Sequence, residues 1–413
     1  MNIKKILSAA AAFLFSFAYA AEVTVSDVVI KQLWPWSSDV DISFTVEGGN
    51  TAVKFTAQYA GKEPYVIPEG ELSGDFLDAS PGRCHVRWNL KRAGLNDKTL
   101  FNLKITAEPD LTDRTYMILN LADGSYRFAA NPPDGGWLSD KAYYQTNMVF
   151  RRIPKGEGTL GLPKGLRDLI GFPSTESYPK THKVTHSSDY YLAIFPITSA
   201  QHDFVVRMTK DVSGYSAEIP DDSFSYNDIR GSQSDNIDWP NTKYSVDDGS
   251  IVAKFRKVAE KTFSPDWHID LPTVAQWEYA ARATTPTNQL YSSGGKEGES
   301  LAAVTNYIDK IATWSHNNSS NRLVGQQDPN GWGIYDMIGL CYEWNLDWYA
   351  NSTAYYSGVD PVGPPSGSWR TRRSASTASN TSLKFLTTAG IGTNGANSKH
   401  YYRLCIHLKS LFR

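Results

Sequence analysis

Four apolar residues, Val40, Ile42, Phe44 and Val46, alternate with Asp41, Ser43, Thr45 and Glu47. A period of two puts one set on a buried face and the other in water, so this segment is predicted to be a half-buried strand. Gly48-Gly49-Asn50 follows as a turn, and Val53, Phe55, Ala57 and Tyr59 alternate after it. Cys84, Val86 and Trp88 share one face of a later strand, opposite His85, Arg87 and Asn89. Phe101, Leu103 and Ile105 make a last strand. Short strands with polar turns between them predict a small all-β sandwich of immunoglobulin-like type over residues 21–112. Cys84 falls on its apolar face, where a thiol is buried and inert.

The polar break Pro109-Asp110-Leu111-Thr112-Asp113 marks the boundary of a second domain, residues 113–413. Its pattern is less regular, with short strands, long loops rich in Gly, Ser and Asn, and few helices. Thr273 and Gln276 have the spacing of a capping box, and Trp277, Ala280 and Ala281 then form an inward stripe at i, i+3 and i+4. A second helix is predicted over Ile251 to Ala259. The chain is predicted to end on one strand, with Tyr402, Leu404, Ile406 and Leu408 on one face and Arg403, Cys405 and His407 on the other. Residues 211–250 carry Asp221, Asp222, Asp228, Asp235 and Asp238 and read as a solvated loop, since their spacing matches no calcium pattern.

The N-terminus alters the picture of where the chain works. Lys4 and Lys5 precede an apolar run from Ile6 to Ala18, and Ala18-Tyr19-Ala20 fits a cleavage site. Residues 1–20 therefore read as a Sec-type signal peptide, with export to the periplasm, the cell surface or the medium. The run is too short to span a bilayer, and no other stretch is long enough. Loss of Lys4 and Lys5 takes the formal charge from −2 to −4, which excludes nucleic acid as the main partner. The densest basic cluster, Arg370, Arg372 and Arg373, reads as solvated surface, with anion binding as the alternative. With 12 Trp and 23 Tyr, aromatics are abundant enough to fill cores and leave rings for a binding face. Export favours disulfides, yet Cys84, Cys341 and Cys405 are an odd set.

Several segments then recur in one order. Met148 to Pro154 precedes a glycine-rich stretch from Gly156 to Gly161. His182-Lys183-Val184-Thr185 and Tyr190 to Thr198 follow. Leu271-Pro272-Thr273 opens the capped helix. Pro329-Asn330-Gly331-Trp332-Gly333-Ile334-Tyr335-Asp336-Met337 leads to Glu343-Trp344 and Asp347-Trp348-Tyr349, and Gly367-Ser368-Trp369 and Tyr402-Arg403 close the series. This order resembles the sulfatase-modifying-factor family, the domain of formylglycine-generating enzymes, over residues 113–413. The resemblance implies an α+β fold of C-type-lectin-like architecture with little regular secondary structure. The sandwich lies outside it.

Two site expectations follow. Asp336 and Glu343, with main-chain carbonyls between them, are hard-oxygen donors suited to Ca²⁺, the alternative being that both acids bond loop amides. The resemblance implies the same ion, held by side chains at Asp336 and Glu343 and carbonyls at Gly339 and Cys341. Leu340 departs from the family's usual Asn. The resemblance also implies a copper(I) site of two cysteines five residues apart after the Gly-Ser-aromatic motif. Those positions are Thr371 and Ser376 here. A hydroxyl is a hard ligand and does not replace thiolate for Cu(I), so copper is not expected. His182 and His186 share a strand face, but no third metal ligand accompanies them. No nucleophile elbow, phosphate loop or nucleotide fingerprint is present. The expected function is a non-catalytic module binding a peptide, glycan or protein. The alternatives are the family's oxidase acting on sulfatase cysteines, and a structural or assembly component of the envelope.

Overall fold

In the computed structural model, the described residues are 22–412, apart from 34–36, 60, 96–101, 173–178, 210–211, 213–218, 222–223, 233–236, 292–293, 316, 318–321, 376–382 and 384–385. The alternating segment near the N-terminus is a strand whose apolar positions are buried and whose polar ones are not. Seven strands make up this part: β1 (Thr24–Gln32), β2 (Val40–Glu47), β3 (Ala52–Gln58), β4 (Tyr65–Val66), β5 (Leu72–Gly74), β6 (Gly82–Trp88) and β7 (Lys104–Asp110). They form one sheet ordered β1-β2-β6-β5 and another ordered β4-β3-β7. Phe44 and Phe55 meet edge to face between them, with centroids 5.3 Å apart. The last strand begins later than the apolar pattern suggests, because Lys104 to Asp110 pair with Gln58 to Ala52 of β3. Phe101 lies outside the described residues.

The next strand starts at Tyr116. It belongs to a six-stranded sheet whose order is His268–Asp270, Cys405–His407, Tyr190–Ala193, Asn147–Ile153, Tyr116–Asn120 and Tyr126–Ala129. A five-stranded sheet is ordered Phe224–Ser225, Lys399–Tyr402, Glu343–Trp348, Arg370–Arg373 and Ile391–Asn394. Both predicted helices form. Ile251–Ala259 has Ser250 at its N-cap. Val274–Arg282 has the full capping box, with Thr273 and Gln276 bonding each other's backbone amides. The architecture is mixed α and β with mostly short strands and few helices.

The two-sheet part packs directly on the rest. Phe76 stacks on Trp267, 6.2 Å between centroids, and Ser264 Oγ donates to the Leu72 carbonyl at 2.6 Å. A Cβ on Gly70 would come within 2.6 Å of the Thr262 carbonyl, so only glycine permits this approach. One hydrophobic core runs from Val40 and Trp88 through to Trp344 and Ile406.

Three expectations need correction. The C-terminal segment is not one continuous strand. Lys399–Tyr402 sits in the five-stranded sheet, Cys405–His407 sits in the six-stranded sheet, and Arg403 lies at the crossing. Every residue from Tyr401 to Leu408 is buried, because the segment is covered on both sides. The arginines of Arg370–Arg373 are not solvated surface: Arg370 and Arg373 are fully buried. Arg370 lies over the Trp348 ring at 3.4 Å, and Arg373 pairs with Glu278 at 3.0 Å. The acidic stretch is also more ordered than a loop. Asp228 completes a capping box on the helix Tyr226–Arg230, Asp238 pairs with Arg370, and Asp221 is buried. Asp222 and Asp235 lie outside the described residues.

Candidate functional site

Strand Glu343–Trp348 is central in its sheet and buried on both faces, so its polar side chains face protein. Glu343 is enclosed. Its Oε1 accepts from Arg403 Nη2 at 2.7 Å, and its Oε2 accepts from Arg403 Nε at 3.0 Å and from Trp277 Nε1 at 2.8 Å. Arg403 also donates to the carbonyls of Ala193 at 2.8 Å and Tyr335 at 3.0 Å. Helix, loop and both large sheets therefore converge on one buried ion pair.

The other residues of the expected calcium block lie beside it. Asp336, at φ +59°, accepts the Gly325 amide through Oδ2 at 2.7 Å. Burial pushes its carboxyl up to about 7, against the pull of the Gly325 amide and Arg403. The Gly339 carbonyl accepts from Ser374 Oγ at 2.8 Å and from the Cys341 amide at 2.7 Å. Leu340 is held at φ +60°, a conformation in which asparagine is far more at ease than leucine.

Thr371, at the family's first thiol position, is fully buried, and its hydroxyl donates to the Asp347 carbonyl at 2.9 Å. Ser376 lies outside the described residues. Asp347 itself accepts the Val274 amide, at the start of the capped helix, through Oδ2 at 2.8 Å. Its Oδ1 has no partner, and burial pushes the carboxyl up to about 7. Neighbouring Asn345 is fully buried with neither end of its amide bonded. Trp369, just before Thr371, is 52% exposed, and Tyr355 on the same connection is 46% exposed.

The three cysteines are all buried. Cys84 donates to the Ser80 carbonyl at 3.2 Å, and burial pushes its thiol up. Burial does the same, more strongly, for Cys405. Cys341 and Cys405 belong to different hydrophobic clusters. His182 and His186 are buried singly. His182 Nδ1 faces the Lys180 carbonyl, while His186 packs against the rings of Tyr190 and Tyr279, and burial lowers its pKa to about 4.

Sequence reasoning passed over two charge networks. Glu278 Oε1 accepts from Arg282 Nε at 3.0 Å and from the Gly161 amide at 2.7 Å, while Oε2 takes Arg373. Its pKa falls to about 2: burial pushes it up, and the two arginines, Arg373 ahead of Arg282, outweigh that. The i, i+4 spacing of Glu278 and Arg282 was the available signal. The second group is the adjacent pair His202 and Asp203 with Asp221, which only the fold brings to them.

A family model described as sulfatase-modifying factor enzyme 1-like domain matches residues 141–399. The formylglycine-generating enzyme of Bos taurus is 30% identical over 110 residues, covering 26% of this chain and 29% of that protein. That of Streptomyces coelicolor is 33% identical over 113 residues, covering 26% and 35%. Serine/threonine-protein kinase Pkn1 of Chlamydia trachomatis is 27% identical over 236 residues, covering 55% and 33%. The matches thus span about a third of the length of these curated relatives. Among solved structures, PvdO from Pseudomonas aeruginosa aligns with a TM-score of 0.43 and 18% identity, over 63% of this chain and 94% of that one. The matched family model covers more than half of the residues, and the chain belongs to the sulfatase-modifying factor enzyme 1-like family.

Proposed function

We propose that this protein is an exported member of the family that has lost the copper oxidase chemistry and binds a peptide, glycan or protein ligand. The observation that carries the reading is Thr371. Where the family places its first thiolate there is a buried hydroxyl, committed to the Asp347 carbonyl. Cu(I) selects sulfur, Cys84, Cys341 and Cys405 lie in three separate hydrophobic clusters, and burial pushes the Cys84 and Cys405 thiols up, so the residues present do not fit copper. Trp369 and Tyr355, on the connection that leads into the strand Arg370–Arg373, supply exposed rings, as a binding face requires. The test is to incubate the mature protein with copper, O₂ and a peptide bearing Cys-x-Pro-x-Arg. No aldehyde is expected by mass spectrometry, and its formation would overturn the reading in favour of the oxidase.

Export rests on the lysines, apolar run and Ala18-Tyr19-Ala20 site of residues 1–20, which lie outside the described residues. Among the described residues no helix is long and apolar enough to cross a membrane. N-terminal sequencing of the protein recovered outside the cytoplasm is expected to begin at Ala21, and an intact Met1 would count against export. Among the described residues the sheet orders β1-β2-β6-β5 and β4-β3-β7 correspond to ABED and C′CF of an immunoglobulin-type sandwich, which supports the immunoglobulin-like reading of residues 21–112.

Calcium at Asp336, Gly339, Cys341 and Glu343 fares differently on physical grounds. Both oxygens of Glu343 already face a guanidinium, and the Gly339 carbonyl already accepts two hydrogen bonds. We infer that Arg403 supplies the positive charge that holds this block together and that the donor set does not suit the ion.

A further inference from the structure

Helix Ser199–Val206 is capped by Thr198 and carries His202 and Asp203 at adjacent positions, each 1% exposed. His202 Nδ1 lies 3.2 Å from Asp203 Oδ1 and 3.6 Å from Asp221 Oδ2. Asp221 is placed by its own amide, which donates to the Ile197 carbonyl just before the helix. One ligand atom from each of the three residues falls within a sphere of mutual distances under 4.8 Å, and no other group of His, Cys, Asp and Glu does so among the described residues.

These spacings fit a metal's coordination shell as well as a hydrogen bond between His202 Nδ1 and Asp203 Oδ1. Two ligands bound at ~2.0–2.1 Å to a tetrahedral Zn²⁺ lie about 3.3–3.4 Å apart. The observed 3.2 and 3.6 Å bracket that value. One imidazole nitrogen with two carboxylate oxygens is a mixed set suited to a first-row transition-metal dication.

An independent observation points to a ligand here. Tyr402 is fully buried, its hydroxyl has no hydrogen-bond partner, and it feels the charge of Asp221. Its ring meets Phe224 edge to face, and Phe224 in turn lies over the His202 ring at 4.0 Å. A buried phenol without a partner is costly unless a small polar species satisfies it. A cation with a coordinated water would supply that species.

We propose that His202 Nδ1, Asp203 and Asp221 hold one divalent transition-metal ion, with Zn²⁺ the best fit. The ion ties the N-terminal part of helix Ser199–Val206 to the segment that leads into Phe224, and being buried it is structural. The competing cation is Arg207, whose guanidinium reaches Asp203 at 2.8 Å from a side chain that is 55% exposed. It can leave without unfolding the helix.

The test uses mature, tag-free, chelator-treated protein titrated with Zn²⁺ alone by calorimetry, and with Co²⁺ by visible absorption. One site is expected. His202→Phe keeps a ring on Phe224 and should weaken binding by at least about 100-fold, as should Asp221→Asn, since each removes a ligand. Arg207→Ala should tighten binding severalfold. That opposite sign separates ligand loss from misfolding. No Zn²⁺ binding by the wild type at millimolar concentration, or undiminished binding in both ligand variants, would overturn the proposal.

Discussion

Glu343→Gln is expected to destabilise the protein by about 3–5 kcal/mol, measured as urea unfolding at neutral pH. The amide keeps nearly the size of the carboxylate, so little packing is lost. What it removes is the counter-charge of Arg403, which is fully buried and, among the described residues, bonded to Glu343 and two carbonyls. A desolvated guanidinium without a carboxylate is the expensive state, and Trp277 Nε1 also loses a charged acceptor. The double variant Glu343→Gln with Arg403→Met should cost less than the sum of the two single changes, because the orphaned charge is then gone. The same ion pair predicts that a chelator does not weaken this block. A chelator-induced fall in melting temperature that Ca²⁺ restores and Zn²⁺ does not would reinstate calcium at Asp336 and Glu343. Zn²⁺ restoration would instead report on the His202 cluster.

Local signals were legible in the sequence, and long-range charge pairing was not. The helices Ile251–Ala259 and Val274–Arg282 were readable because a cap and an apolar stripe lie within one or two turns. β2, β3 and β6 were readable because each has one wet face. Strand Arg370–Arg373 defeats the same logic. Three arginines in four positions look solvated, yet their partners Glu278, Asp238 and the Trp348 ring come from distant segments. The closing strand fails differently, since its alternation persists across a crossing from one sheet to the other and both faces are covered. For the candidate site, the motif order located Thr371, but its burial and its bond to the Asp347 carbonyl come from the sheet register. Asp221 reaches His202 because Ile197 to Ser199 pair with Ile219 to Asp221, a backbone contact that no local pattern encodes.

Asp347→Asn is expected to change stability by an amount that grows with pH. Asp347 is fully buried, and its Oδ1 is unbonded. Gly363 presses so close that a Cβ there would sit 2.7 Å from the Asp347 side chain, leaving little room for water. Burial raises the carboxyl to about 7, although the Val274 amide, Arg373 and Arg370 pull it down. In the unfolded chain an aspartate titrates near ~3.9. Between those values the folded state keeps a proton that the unfolded state has lost. The stability contributed by Asp347 is therefore complete below about pH 4 and is lost as pH rises towards 7. Asparagine cannot titrate there, and its carbonyl oxygen can still accept the Val274 amide. Relative to the wild type, the variant should gain up to about 1.4 kcal/mol per pH unit, reaching roughly 4 kcal/mol by pH 8. Asp336 shifts in the same direction, while His186, His268 and His407, lowered to about 4 by burial, act with the opposite sign as pH falls below 6.5. All four are common to both proteins, so the difference between the two isolates Asp347. Urea midpoints at pH 5 and pH 8 suffice to measure it. A difference that does not change with pH would mean that Asp347 stays ionised, its charge balanced by Arg370, Arg373 and the amide dipoles at the start of helix Val274–Arg282.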